Sequence, residues 1–232
     1  MRAVILAGGK GVRLAPLTEV IPKPLVPIGG MPIMGIIIEQ LREQGFRRVT
    51  LAVGYMAELI QAYFQDGRKW GIKIDYSYEP APRGTAGPLA LIDGLDETFL
   101  VMNADVLTNI DYQELVRFHK GRGGVATISA YQRQHTVDFG VILIDGDCRV
   151  KDYVEKPSST HLVSMGIYIF EPQVLDFVHG RDYLDFPDLV KILLENGLQV
   201  NYFPFPGYWL DIGRHDDYAT AATEYAEFRK QS

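Results

Sequence analysis

Short, uninterrupted apolar runs punctuate this chain, and the stretches between them are amphipathic. Ala3-Val4-Ile5-Leu6 is apolar throughout and stops at glycines, as a strand buried on both faces does. Val49–Val53 and Phe99–Met102 have the same character, and Lys73–Tyr78 alternates like a half-buried strand. Between them, Pro32–Gln44 reads as a helix, with a proline suited to its first turn and Gly45 as its stop. Further helices are predicted from about Ala57 to Phe64 and from about Tyr112 to His119. Strands alternating with helices predict an α/β fold, a mostly parallel central sheet with helices on both faces. Ligands of such sheets sit at the carboxyl ends of the strands.

From Val125 the rhythm changes. Val125–Tyr131, Gly140–Ile144, Arg149–Val154 and Ser164–Phe170 are strand-like with short connections, which predicts an insertion with antiparallel pairing. Short helices near Pro172–Phe177 and Pro187–Glu195 follow, then a strand near Val200–Phe203 and the segment Tyr208-Trp209-Leu210-Asp211. A polar-faced helix from about His215 to Arg229 closes the chain. With no repeat or Ser/Gly linker, residues 1–232 read as one domain, halved at about residue 124.

Composition narrows the class. At 232 residues, 47% hydrophobic and 22% charged, the chain is ordinary for a soluble enzyme. A net charge of -6 argues against a general nucleic-acid binder but not against a phosphorylated small substrate, whose site is governed by local cations. The single cysteine, Cys148, excludes an internal disulfide and fits a reducing compartment. No stretch is long enough to cross a bilayer, and the first apolar run is too short and glycine-broken for a signal peptide. The cytoplasm is the expected location, with no membrane partner.

The first candidate chemistry lies directly after the first strand. Gly8, Gly9 and Gly11 remove side chains where the backbone passes close to something, and successive N–H groups in such a loop form an anion site. Arg13 and Lys23 add two cations, and Pro22 and Pro24 stiffen the backbone around Lys23. These parts suit a polyphosphate, whereas the plainer reading is a tight turn with two solvated cations. Walker A spacing is absent around Lys10, and Leu14 stands where the dinucleotide fingerprint needs its third glycine. Asp105 follows a strand directly and so faces the ligand crevice, where a hard cation would need its oxygens; a turn or cap aspartate is the alternative. Asp211, between large apolar residues and Gly213, has the same two readings. In Glu155-Lys156-Pro157 a proline again stiffens a lysine, or the pair is merely an exposed ion pair. The five histidines are scattered without ligand spacing and none is assigned to catalysis.

Leu6-Ala7-Gly8-Gly9-Lys10-Gly11-Val12-Arg13-Leu14, Pro16-Leu17-Thr18 and Pro22-Lys23-Pro24-Leu25 closely resemble the opening of the sugar-1-phosphate nucleotidylyltransferases. The resemblance continues through Trp209-Leu210-Asp211. It implies the three-layer α/β/α Rossmann-like fold of nucleotide-diphospho-sugar transferases. It also implies nucleotide contacts from Leu6 to Gly11 and at Arg13, and a catalytic Mg²⁺ held between Asp105 and Asp211. Lys156 would hold the sugar-linked phosphate, Glu155 the sugar hydroxyls, and Gly140 and Ser164 would lie in the sugar region. Many hexose members carry Asn or Thr at Ser164 or Met165, so the sugar stays open. Longer members carry a C-terminal β-helix, for which this chain ends too early; a homodimer is common among such short members.

The base would be met by Glu79 and by Gly84-Thr85-Ala86-Gly87, a run closer to mannose-1-phosphate guanylyltransferases than to thymidylyl enzymes. Gly84 and Gly87 would let a flat base approach the backbone. A carboxylate only accepts hydrogen bonds, so Glu79 suits the N1–H and 2-amino donors of guanine and repels the oxygens of uracil or thymine. Cytosine stays open, and Glu79 facing solvent is the plain alternative. The expected reaction joins an NTP, preferably GTP, to a mannose- or heptose-type sugar 1-phosphate and releases pyrophosphate. In it Arg13, Lys23, Asp105 and Asp211 are catalytic. The rivals are a thymidylyl-, uridylyl- or cytidylyltransferase, a glycosyltransferase using an NDP-sugar, and a catalytically silent sugar-nucleotide sensor. The only Asp-x-Asp pair, Asp145-Gly146-Asp147, sits in an expected turn and disfavours the glycosyltransferase. The broken fingerprint disfavours a nicotinamide dehydrogenase.

Overall fold

The structure, a computed structural model, describes residues 1–231, with side chains through residue 225. The first half runs β1 (Arg2–Ala7), α1 (Leu17–Val20), β2 (Pro27–Ile28), β3 (Met31–Pro32), α2 (Ile33–Glu43), β4 (Arg48–Val53), α3 (Ala57–Phe64), β5 (Lys73–Tyr78), β6 (Phe99–Asn103), β7 (Val106–Thr108) and α4 (Tyr112–Arg122). The second runs β8 (Ala126–Thr136), β9 (Val141–Ile144), β10 (Val150–Val154), β11 (Ser158–Phe170), α5 (Phe186–Glu195), β12 (Val200–Phe205), β13 (Trp209–Asp211) and α6 (His215–Gln231). Short 3₁₀ turns lie at Val12–Leu14, Lys23–Leu25, Arg68–Trp70, Gly87–Leu91 and Pro172–Phe177.

Seven strands form the central sheet in the order β12-β8-β11-β6-β1-β4-β5. β1 lies parallel between β4 and β6, with Val4 opposite Thr50 on one side and Val101 on the other. Its side chains alternate between two cores. Ala3, Ile5 and Ala7 face α2, α3 and α4 through Ile37, Phe64 and Leu115, whereas Val4 and Leu6 face the 3₁₀ turns and α5 through Leu89, Val174 and Leu189. Burial on both faces is why β1 is apolar at every position from Ala3 to Ala7. Each fully buried side chain of this size contributes about 1.5–3 kcal/mol.

The expected antiparallel pairing involves the central sheet itself. β11 lies inside it, antiparallel to both β6 and β8. β8 and β11 run on beyond the predicted Tyr131 and Ser164, pairing as far as Thr136 with Ser158. The hairpin β9–β10 stands apart as a two-stranded ribbon. β12 is an edge strand, the place where a strand tolerates a proline such as Pro204. The turns at Pro172–Phe177 and Gly87–Leu91 are 3₁₀ rather than α-helical.

One buried polar group away from the cleft is paired across elements. His119 of α4 is buried, with Nδ1 2.8 Å from Thr127 Oγ1 on β8 and Nε2 3.0 Å from Glu171 Oε1, which also accepts from Thr98 at 2.8 Å. This histidine is structural. Among the described residues, no helix is long and apolar enough to cross a membrane.

Candidate active site

A cleft of about 400 Å³ opens at the carboxyl ends of β1 and β6. Its lining includes Leu6, Ala7, Gly8, Gly9, Gly11, Arg13, Lys23, Glu79, Gly84, Thr85 and Asp105, eleven of the residues predicted from sequence. The glycine loop is shaped by its neighbours. A Cβ on Gly8 would collide with Glu79 Oε1, and Gly54 packs against the Gly8 carbonyl. Gly11 takes φ +63, and a Cβ there would meet Lys23 Cβ at 3.0 Å and Thr18 Cγ2 at 3.1 Å. The missing side chain is what lets Lys23 pass alongside the loop. Thr18 seals the turn, its hydroxyl donating to the Gly11 carbonyl at 2.9 Å. Gly9 has nothing within 4 Å of its Cβ position, so the space beside it is open. Lys10 is exposed and does not line the cleft.

The two aspartates meet through a long-range pairing. β13 lies antiparallel to β7, with Asp211 opposite Val106, and the Ile212 N–H donates to the Asp105 carbonyl at 2.9 Å. Lys23 Nζ is ion-paired to Asp105 Oδ2. Asp105 Oδ1 and Asp211 Oδ1 are both buried without a hydrogen-bond partner. Burial and the neighbouring Asp105 raise the Asp211 carboxyl above its ordinary range, against the pull of Lys23 and Arg13. Arg13 lies against Gly213, where a Cβ would be 3.3 Å from its Nη1. Asp211 lines an adjoining cavity of about 190 Å³ with Tyr131, Arg133 and Trp209. Two orphaned carboxylate oxygens facing two cations fit Mg²⁺, which takes one or two protein carboxylates plus phosphate oxygens and water. No group of three or more metal-ligating side chains occurs among the described residues.

The other end of the cleft is laced to a loop that sequence reasoning missed. Thr85 N–H and hydroxyl donate to Asp185 Oδ1 at 2.9 and 3.1 Å, and Thr85 Oγ1 accepts from the Phe186 N–H at 2.9 Å. Thr85 therefore has its polar groups engaged by protein. Gly84 and Gly87 are spent on the same contact: a Cβ on Gly84 would come within 2.5 Å of the Leu184 carbonyl, and Gly87 is buried against Arg83 and Leu184, outside the cleft lining. Glu79 N–H donates to the Val53 carbonyl at 2.8 Å, which places the side chain beside Gly8. Burial raises its carboxyl, opposed by the Arg83 N–H and guanidinium.

The sugar-side residues are not gathered into the cleft. Glu155 and Lys156 are exposed just after β10, with Lys156 at φ +45. Gly140 lies against the Tyr153 ring, and the exposed Ser164 donates to Tyr168 Oη at 3.0 Å. Trp209 Nε1 donates to the Met165 carbonyl at 3.1 Å and ties this region to the aspartate strand. The cleft also holds Asn103, Arg83 and Tyr183, to which no role was predicted. Asn103 carried a signal, its place two residues before Asp105, and it packs against Gly166. Tyr183 and Asp185 carried none, because they reach the cleft from a hundred residues away.

Residues 2–227 match the Nucleotidyl transferase family. A rice (Oryza sativa subsp. japonica) protein named probable mannose-1-phosphate guanylyltransferase 1 is 38% identical over 98% of this chain and 65% of its own. A Synechocystis UTP–glucose-1-phosphate uridylyltransferase is 35% identical over 94% and 61%. The chain thus spans just under two thirds of the length of these curated relatives. Among solved structures, HddC from Yersinia pseudotuberculosis superposes with a TM-score of 0.75 at 29% identity, covering 97% of this chain and 99% of that one. The same protein is known complexed with GMP-PN. A Bacillus anthracis glucose-1-phosphate thymidylyltransferase structure shares the fold at a TM-score of 0.77, 24% identity and 96% and 94% coverage. With nearly every residue matched, and a glycine loop, two cations and Asp105 converging in one crevice with Asp211 paired alongside, this chain belongs to the nucleotidyl transferase family, alongside sugar-1-phosphate nucleotidylyltransferases.

Proposed function

We propose that the protein is a sugar-1-phosphate nucleotidylyltransferase that joins an NTP, preferably GTP, to a mannose- or heptose-type sugar 1-phosphate. The observation that carries this reading is the convergence of Gly8–Gly11, Arg13, Lys23 and Asp105 in one cleft, with Asp211 beside it. A phosphate oxygen of the sugar 1-phosphate attacks the α-phosphorus. That P–O bond forms as the bond to the β-phosphate oxygen breaks, and pyrophosphate leaves. No general base is needed, since the attacking phosphate is already anionic. Catalysis is then positioning and charge neutralisation. The loop amides and Arg13 take the departing pyrophosphate, Lys23 bridges phosphates, and Lys156 with Glu155, Gly140 and Ser164 holds the sugar phosphate. Asp105 and Asp211 would hold Mg²⁺, which when bound would supply charge neutralisation. Residues up to about 124 supply most of the nucleotide contacts and those beyond it most of the sugar-phosphate contacts, with the reaction in the cytoplasm.

Guanine is preferred because Glu79 is a pure acceptor when ionised. The guanylyltransferase name of the rice relative and the GMP-PN complex of the Yersinia protein support that choice, whereas the Synechocystis relative is named for UTP. The test is pyrophosphate release with Mg²⁺ across all NTPs, dTTP included, and a panel of sugar 1-phosphates. Turnover with GTP and a mannose-type phosphate is expected. Turnover with dTTP or UTP alone would keep the chemistry and sink the Glu79 argument, and nucleotide binding without pyrophosphate from any pair would leave a silent sensor.

A further inference from the structure

Tyr183 is 60% exposed, yet it is not a loose surface side chain. It lines the same cleft as Gly8, Gly9 and Glu79, and its hydroxyl donates to Asp185 Oδ2 at 3.0 Å. The other oxygen of that carboxylate takes the Thr85 N–H and hydroxyl. The backbone around the tyrosine is stitched to the opposite loop. Leu184 N–H donates to the Arg83 carbonyl at 2.9 Å, and the Ala86 and Gly87 N–H groups donate to the Leu184 carbonyl at 2.9 and 3.0 Å. A large aromatic ring is thus anchored by its hydroxyl and its backbone while most of its surface stays uncovered at a cleft mouth.

An anchored, uncovered aromatic ring is a stacking platform, because its orientation is paid for before any ligand arrives. Within the cleft, Lys23 lies against Gly11 and pairs with Asp105, whereas Arg83 and Gly84 contact Leu184, Thr85 contacts Asp185, and the Arg83 N–H donates to Glu79, which groups these four residues with the tyrosine's segment. Resting on the reading of this cleft as the nucleotide site, we infer that Tyr183 forms a wall of the nucleobase subsite and stacks on the face of the base. Glu79 then reads the edge and Tyr183 covers the face. The two act differently: every base has a π face, so Tyr183 serves all NTPs, whereas Glu79 discriminates among them.

The experiment is calorimetric titration with GTP and Mg²⁺, without sugar phosphate, of the wild type, Tyr183→Ala and Tyr183→Phe. Inorganic tripolyphosphate is titrated as a ligand that has the phosphates and no base. Tyr183→Ala is expected to weaken GTP roughly 5- to 100-fold, the range of losing one base–aromatic stack, and to leave tripolyphosphate unchanged. Tyr183→Phe keeps the ring and is expected to stay within about threefold of wild type. Equal weakening of GTP and tripolyphosphate would mean the residue only supports the loop, and would overturn the inference. So would unchanged GTP affinity alongside a raised KM for the sugar 1-phosphate, which would put the sugar against the ring. A wild type that binds tripolyphosphate but no NTP would instead remove the nucleotide reading itself.

Discussion

Beside the base-reading role proposed for it, Glu79 carries a cost in stability that depends on pH. Burial raises its carboxyl, so the folded protein holds that proton more tightly than the unfolded chain does. The ionised side chain therefore costs stability above its folded pKa, and the cost fades as pH falls through it. Glu79→Gln is expected to melt higher than wild type near pH 8, with the gap closing toward pH 4, as melting curves across that range would record. The same change adds a donor and should raise the kcat/KM ratio of dTTP to GTP about tenfold or more. A ratio left unchanged would mean the edge of the base is read elsewhere. Lys23, proposed to bridge phosphates, is already ion-paired to Asp105 in the structure. Its replacement by methionine is expected to cost about 2–4 kcal/mol in kcat/KM, the scale of losing one preorganised transition-state contact.

At the level of elements, the glycine loop separates two uses of one residue type. Gly11 has φ +63 and touches Lys23 and Thr18, so a methyl there strains the backbone and crowds the lysine. Gly11→Ala is expected to lose about 1–2 kcal/mol of stability, a drop of roughly 2–8 °C in Tm at this chain length. Gly9 has open space and no left-handed φ. Gly9→Ala is expected to melt within about 1 °C of wild type yet to bind GTP at least several-fold more weakly, because the methyl would occupy the space proposed for the phosphates. A Gly9→Ala protein that binds GTP normally would remove the phosphates from that loop.

Across the whole molecule, stability and the candidate chemistry pull in opposite directions at Asp211. The β7–β13 pairing sets its carboxylate beside Asp105 in a half-buried position, and both repulsion and burial raise its pKa. The ionised form destabilises the fold above that pKa, with relief as pH falls. Asp211→Asn is expected to raise Tm in EDTA at pH 8, by about 2–4 °C for each 1 kcal/mol of repulsion removed, while abolishing pyrophosphate release. A lower Tm in EDTA would show instead that the ionised carboxylate is held favourably by Arg13 and Lys23.

Strand and helix positions were legible because burial imposes a local pattern: β1 is apolar from Ala3 to Ala7 since both its faces are covered, and α2 follows from a helical stripe between Pro32 and Gly45. The glycine loop, Arg13, Lys23 and Asp105 were legible for a related reason, being near in sequence to the strand ends that present them. Pairings that cross a hundred residues leave no such trace. The place of β11 inside the sheet and the strap from Asp185 to Thr85 depend on which strand lies beside which, as does the meeting of Asp211 with Asp105, which the family resemblance implied and no local pattern did. The same holds for Gly84 and Gly87, whose spacing is as compatible with a base as with the Leu184 backbone that the fold brings against them. Periodicity and turn chemistry are properties of neighbouring residues, whereas the partner of a carboxylate or a glycine is a property of the packed sheet.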